Sequence, residues 1–518
     1  MKKALTVFLM LALIGAVYAD EPVANVNVSE FTGNAAVSWG IDLDSGKTGF
    51  KNEANATLKL NLIDGGNKST SGDGIWGELV IKTDGDTFLG GENVGLDVGA
   101  PVKAVVDVAK LHFGPVYVGI KSGDTEVGEL KMDAAIRSAD SDNAVKVPNV
   151  GPTGFTQGIV IGYANDLFGV DVDFRSYEGD TQYTGAYSLA AEAKVTPIEG
   201  LEVKGGVAYN ISNEYYNDPT VDTETAYDPE EFGVATNVLG YSASVGYKLG
   251  LNDTMYVRPQ VGFTGMNASA SDVVVMGVKG DAKASTMTLA AGVLFGWGDI
   301  GVDANAGVPY LDGDSAKKVS PGVGVVVEVP FDAKAEFSAA GNTLTGVEQP
   351  KYSARIMPSF YSGDLLGAFK AAAYADIAMM KEVSKDTDNT SYDGGATNKD
   401  MAMAFALGLS YAAALDEITI TPSAGVRFAN GSYMDNGIAK DIFSGMGDQK
   451  PYADGEKVGL YDGNFMNLKV GVDVAGLIQN TTLSVIYESR NLMNGIDYVD
   501  PANPQKAGTL NIKAKIAF

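Results

Sequence analysis

The feature that most constrains this chain is the rhythm of its connections. From residue 158 onward, stretches of alternating apolar and polar residues read as strands, and the gaps between them are short and long by turns. Period-two alternation marks a strand with one face in an apolar medium and the other in a polar one. Counted back from the C-terminus, the short gaps are 476–480, 413–417, 361–366, 330–332, 297–299, 249–254, 197–200 and 165–168. Longer gaps separate them, among them 490–508, 429–466, 380–401, 310–318, 265–285 and 211–238. Outer-membrane barrels are connected in this way, as up-and-down meanders with tight turns at one end and long loops at the other. A Greek-key sandwich has no reason to keep such a parity. A solenoid would show a fixed sequence repeat, and none is present.

Strand length and phase point the same way. The strands run to about 8–12 residues, against ~5–6 in soluble sheets and ~9–11 for a tilted membrane strand. In 319–331, Pro321, Val323, Val325, Val327 and Val329 share one face, and Gly322, Gly324, Val326 and Glu328 the other. In 300–310, Ile300, Val302, Ala304 and Val308 oppose Gly301, Asp303, Asn305 and Gly307. The second face is small and polar, which suits a wet lumen better than a packed core. Glycine, 64 of 518 residues, sits inside these strands in excess of the usual ~7%. The expectation is an all-β transmembrane antiparallel barrel of about 20 strands (roughly 18–22), with short periplasmic turns and long extracellular loops.

The last ten residues, TLNIKAKIAF, read as the closing strand. Leu510, Ile512, Ile516 and Phe518 face lipid and Lys513 faces the lumen. A terminal aromatic strand resembles the signal read by barrel-assembly machinery.

At the other end, Lys2 and Lys3 precede an apolar run from Ala4 to Val17 and the small-residue site Val17-Tyr18-Ala19. That reads as a secretory signal peptide, residues 1–19, cut after Ala19. Residues 158–518 carry the regular barrel pattern. Residues 20–157 are less regular, with strands expected at 35–43, 56–63, 75–82, 111–120 and 125–136 and an ambiguous stretch at 92–110. They are either further barrel strands or a partly separate N-terminal module.

Composition narrows the function classes. A net charge of −27 argues against nucleic acid, which needs a basic patch. No run of about 18 apolar residues makes a transmembrane helix. There is no cysteine, so an exported chain of this length relies on packing or on a membrane rather than on disulfides. The single histidine, His112, lies on an expected strand and reads as a pairing residue rather than as part of a triad or zinc site. Asp42-Leu43-Asp44-Ser45-Gly46 looks faintly like a calcium loop, but the ligand spacing fails and a hairpin turn is the better reading. Enzyme chemistry, metals and cofactors are not expected.

The six arginines are more informative. Arg175, Arg258, Arg355 and Arg427 fall at mid-strand on the lumen phase, and Arg137 and Arg490 take the same phase at strand ends. Lipid excludes arginine at roughly 2–4 kcal/mol near the midplane. Asp303, Asp376, Asp473, Glu192, Glu202 and Glu328 share the lumen phase. Opposed charges there either set the selectivity of a pore or pair as interior salt bridges. The pore-lining candidates are Arg175, Arg258, Arg355, Arg427, Asp303, Asp473, Glu328 and Lys513. The long loops are acidic; 211–238 carries Glu214, Asp218, Asp222, Glu224, Asp228, Glu230 and Glu231.

The run AVSWGIDLDSGKTGFKNEANATLKLNL, residues 36–62, resembles the N-terminal region of the spirochaete major outer sheath protein family, including its treponemal repeat paralogues. Trp39 to Asn52 is the specific part. The resemblance implies an abundant outer-membrane porin and surface antigen, a homotrimer in outer-membrane lipid, with adhesive and cytotoxic activity toward a host and its matrix proteins. Two function classes follow. One is a diffusion porin. The other is a surface adhesin whose barrel is plugged and conducts little.

Overall fold

The computed structural model describes residues 27–62, 75–83, 104–121, 130–138, 144–145, 157–178, 183–211, 237–275, 278–303, 308–309, 317–331, 333–339, 341–348, 352–381, 400–435, 464–493 and 506–517. The expected signal peptide, Phe518 and most of the acidic loop 211–238 lie outside them.

Among the described residues, twenty antiparallel strands close into a barrel. Closure is made by the last strand, Thr509–Ala517, which pairs on one side with Thr481–Glu488 and on the other with the first strand, Asn27–Asp42. Ser38 stands opposite Lys513 and Trp39 opposite Ile512. Thr48–Leu62, Ile75–Thr83, Ala104–Phe113 and Val116–Lys121 continue the same wall from the first strand. A closed sheet leaves no backbone edge, which is the condition for strands in hydrocarbon.

The burial pattern is inside-out. Large apolar side chains such as Val172, Phe174, Val261, Phe263, Val323, Leu407, Val485 and Ile516 are exposed, while Arg175, Arg355, Arg427 and Asp376 are buried. A water-soluble fold does the reverse. The exposed apolar face is the lipid face and the buried polar face is the lumen, in the phase expected from the sequence. Ile512, 48% exposed, lies on the lipid side of the closing strand, and half-buried Lys513 on the luminal side. Ile512→Asp places a charge in hydrocarbon at roughly 2–3 kcal/mol and disturbs the strand that seals the barrel. We expect Ile512→Asp to fail in membrane insertion, scored by heat-modifiable migration of refolded protein, and Lys513→Gln to insert as wild type; the reverse result would invert the phase.

The structure departs from the expected strand list at five places. The stretch 111–120 is not one strand; it turns at Gly114-Pro115 between Ala104–Phe113 and Val116–Lys121. The tripeptide 330–332 is not a turn. Phe331 N–H still donates to the Met287 carbonyl, so Gly322–Pro330 runs on into Ala333–Ala339, and the chain reverses at Gly341, whose φ of 82° suits glycine. The segment 265–285 is not a loop, because Tyr256–Val275 and Val278–Gly296 stay paired up to Val275 and Val278. The described parts of 125–136 and 300–309, residues 130–136, 300–303 and 308–309, are not wall strands.

Those two segments fold into the lumen. One insertion leaves the wall after Val116–Lys121 at the long-loop end and the other after Val278–Gly296 at the short-turn end. They meet inside, where Ile136–Ser138, Lys317–Val319 and Val302–Asp303 form a three-stranded sheet. Ala135, Ile136, Val308 and Val319 pack on wall residues Tyr256, Leu294, Tyr361 and Ala372. Met132 and Ala134 pack on Ala290, Val326 and Met357. Here the small luminal residues serve packing. A Cβ on Gly324 would lie 3.1 Å from Ala135 N, and one on Gly408 would lie 2.5 Å from the Pro309 carbonyl. The apolar partners of Ile300 and Val308 are therefore luminal side chains, not lipid. Period-two alternation reports an apolar neighbour without saying which.

Candidate functional site: a partly filled lumen

The lumen has two sides. From Tyr256–Val275 round to Ala402–Tyr411, the wall is covered by the insertions. From Ile418–Ala429 through the closing strand to the first strand, it carries hydroxyl and charged residues. One row across this side reads Thr421, Asp473, Ser484, Lys513 and Ser38, each opposite the next on neighbouring strands. Of the pore-lining candidates, Asp473 and Lys513 belong to this row, and both are half-buried.

The insertions are fastened to the wall by polar bonds as well as apolar packing. Asp133 N–H donates to Gln260 Oε1 at 2.8 Å, and Gln260 Nε2 donates to the Asp133 carbonyl at 2.6 Å. Ala135 N–H donates to Ser359 Oγ at 3.0 Å, and Ser320 N–H donates to the Ala135 carbonyl. Arg258 approaches Asp133 to 2.6 Å and Glu202 to 3.2 Å, and Glu202 also takes Lys194 and Lys204. Arg258 thus ties an insertion to the wall near the short-turn end.

The other candidate arginines sit toward the long-loop end in matched pairs. Arg175 donates to Asp173 at 3.0 Å. Arg355 holds Asp376 with two bonds, 2.8 and 2.7 Å, and reaches Glu328 at 3.4 Å. Asp376, 0% exposed, also accepts from the Tyr433 hydroxyl of the short helix Gly431–Asp435, which brings the start of a long loop down into the lumen. Arg427 donates to Asn467 and Glu488, at 3.1 Å each. Asp303 pairs in register with Lys318 inside the inserted sheet, and Arg137 with the same lysine from the other side. The structure brings Arg355 and Glu328 together and leaves Arg175, Arg258 and Arg427 in separate clusters.

Sequence reasoning missed Asp133, Tyr433 and an aromatic row. Trp76, His112 and Tyr117 stand side by side on three adjacent strands, facing the lumen. The Trp76 and His112 rings stack at 3.8 Å, 4° from parallel, and Tyr117 follows at 5.3 Å. Alternation places each of the three on the luminal phase, but only strand register shows that they touch.

The Asp42–Gly46 stretch is a hairpin turn with its acceptors engaged. Asp42 accepts from Asp44 N–H and Ser45 Oγ, and Asp44 from the backbone N–H groups of Lys506, Ala507 and Gly508. Arg490 bridges both carboxylates. These oxygens are taken by protein donors in place of a cation.

No family model matches the chain. A curated relative, the major surface protein MspTL of Treponema lecithinolyticum, is 30% identical over 631 aligned residues that cover both chains completely. The chain belongs to the treponemal major surface protein family. The major outer membrane protein MspA of Treponema maltophilum is 29% identical, again over the full length of both. Among solved structures, OprB of Pseudomonas putida matches with a TM-score of 0.33 and 12% identity, covering 94% of each chain. OprD of Pseudomonas aeruginosa matches with a TM-score of 0.31 and 8% identity, covering 96% of this chain and 98% of that one. Those two superpositions are too loose to add to the argument from geometry.

Proposed function

We propose that this member of the family is an outer-membrane porin whose passage is the side of the lumen left uncovered among the described residues. The observation that carries the reading is a closed barrel, apolar outside, with the row Thr421, Asp473, Ser484, Lys513 and Ser38 inside. Hydroxyl and charged groups replace the hydration of small solutes in transit, which an apolar lumen cannot do. The relatives' names, a major surface protein and a major outer membrane protein, support the placement in the outer membrane.

The packed insertions favour a second reading, a surface scaffold whose barrel conducts little. Planar-bilayer recording separates the two. The porin reading expects stepwise channels from refolded wild type. It also expects larger steps from Met132→Asp with Ile136→Asp, which put charges in the apolar seat of the insertion and release it. Silence from wild type together with channels from the double variant would support the plugged scaffold.

A further inference from the structure

The short turns carry aliphatic side chains that a rim standing in water does not need. Leu167, Ile198, Leu251, Leu365, Leu415 and Ile478 lie in six different turns at that end, and all six are exposed. A single exposed leucine is ordinary on a protein surface. One in each of six turns at the same end of a barrel is a pattern, and a contiguous apolar rim marks a surface that something covers.

The turns are built to leave bulk water. Asn165 Oδ1 accepts from Leu167 N–H at 2.9 Å and Phe168 N–H at 2.7 Å, and Asn252 Oδ1 accepts from Thr254 N–H at 2.9 Å and Met255 N–H at 2.8 Å. Leu201 N–H donates to the Ile198 carbonyl, Gly367 N–H to the Asp364 carbonyl and Thr481 N–H to the Ile478 carbonyl. Backbone groups satisfied within the turn lose little when hydration thins. The rim also continues a surface already in lipid. Phe168, Tyr247, Phe369 and Tyr411 stand exposed on the lipid phase beside these turns. Aromatic residues at strand ends mark the membrane–water boundary. The polar layer of one leaflet is roughly 5–7 Å deep. A chain that reverses a residue or two beyond its strand end, at ~3.3 Å each, stays within that layer.

The distribution of the six side chains identifies what covers them. They run round the rim from the turn after Gln157–Ala164 to the turn before Thr481–Glu488. A partner protein or a second copy of the chain would cover one sector of such a rim. A planar medium touches every sector at once. We propose that Leu167, Ile198, Leu251, Leu365, Leu415 and Ile478 anchor the short-turn rim in a phospholipid surface, inserting between the headgroups and the acyl chains. The turns then lie within the leaflet and fix the depth of the barrel. Their exposed carboxylates, such as Asp166, Asp253 and Asp364, stay hydrated at headgroup level. The anchor does not depend on conduction.

The chain has no cysteine, so each single substitution carries one label. Leu167→Cys, Leu251→Cys, Leu365→Cys and Ile478→Cys sample four sectors of the rim. Val261→Cys on the lipid face and Lys47→Cys in the turn at the opposite end are the references. Each full-length variant is labelled with bimane and refolded into phosphatidylcholine vesicles, and heat-modifiable migration reports that it is folded. The four rim labels should emit to the blue of the Lys47 label. Brominated phosphatidylcholine should quench them as it quenches the Val261 label, and iodide supplied on both sides of the membrane should quench them less than it quenches the Lys47 label. Emission and iodide quenching like those of the Lys47 label would overturn the anchor. Blue-shifted emission without quenching by brominated lipid would overturn it and assign the rim to contact with protein. Lipid quenching confined to one sector would overturn it as well, because a planar surface reaches all four.

Discussion

Arg355→Ala should be among the most damaging single substitutions in the barrel wall. The guanidinium holds Asp376 with two bonds and reaches Glu328, and all three side chains are buried. Removing it leaves two carboxylates facing each other with no cation, and breaking a buried pair in this way costs about 3–5 kcal/mol. Asp376 also anchors Tyr433, so the helix Gly431–Asp435 should loosen as well. The expected result is a clear fall in the urea midpoint of refolded protein. The triple variant Arg355→Met, Glu328→Gln, Asp376→Asn should recover most of the loss, because no charge is then stranded. A single variant with a wild-type midpoint would show that the network is solvated and contributes little.

The architecture was legible in the sequence because lipid leaves a strong imprint. It demands long strands with one apolar face, and it confines long loops to one end, so parity and phase survive in the linear text. The closing strand is the clearest case: Ile512 and Ile516 face outward as alternation requires. What lies inside the lumen left a weaker imprint. Val308 and Ile136 are as apolar as wall residues, and their partners Leu294 and Tyr361 lie on strands whose register no local pattern reveals. Alternation alone therefore counts 300–309 and 125–136 as wall and splits 322–339 in two, while it marks 48–62 too short and leaves 104–121 unresolved as a pair. These errors offset one another only in part in the strand number. The arginines divide in the same way. Their phase followed from the cost of charge in lipid, but their partners follow from closure. Arg490 meets Asp44 across 446 residues of chain.

That last contact gives the second large expected effect. Asp44 sits in the turn between the first two strands, at the seam where the barrel closes. Its carboxylate accepts from Lys506 N–H at 3.0 Å, Ala507 N–H at 2.9 Å, Gly508 N–H at 2.9 Å and Arg490 Nη1 at 2.8 Å. Three consecutive backbone donors converging on one carboxylate pin the chain just before the closing strand, and Leu43 N–H donates back to the Gly508 carbonyl. Gly508 has a φ of 82°, and a Cβ there would fall 2.1 Å from the Glu488 carbonyl, so the approach is fixed by sterics as well as charge. Asp44→Ala removes all four bonds. Arg490 keeps Asp42 at 3.2 Å, and water reaches part of the rim, which limits the loss. Charge-assisted bonds of this kind contribute roughly 1.5–3 kcal/mol where buried, so a total of about 2–4 kcal/mol is expected. Asp44→Asn, which keeps one acceptor and no charge, should fall between Ala and wild type. The predicted signature is a lower unfolding midpoint together with faster proteolysis within 489–508, because the loop is freed before the barrel opens. A lower midpoint with unchanged cleavage would place the effect on the hairpin turn alone and dismiss the seam as its origin.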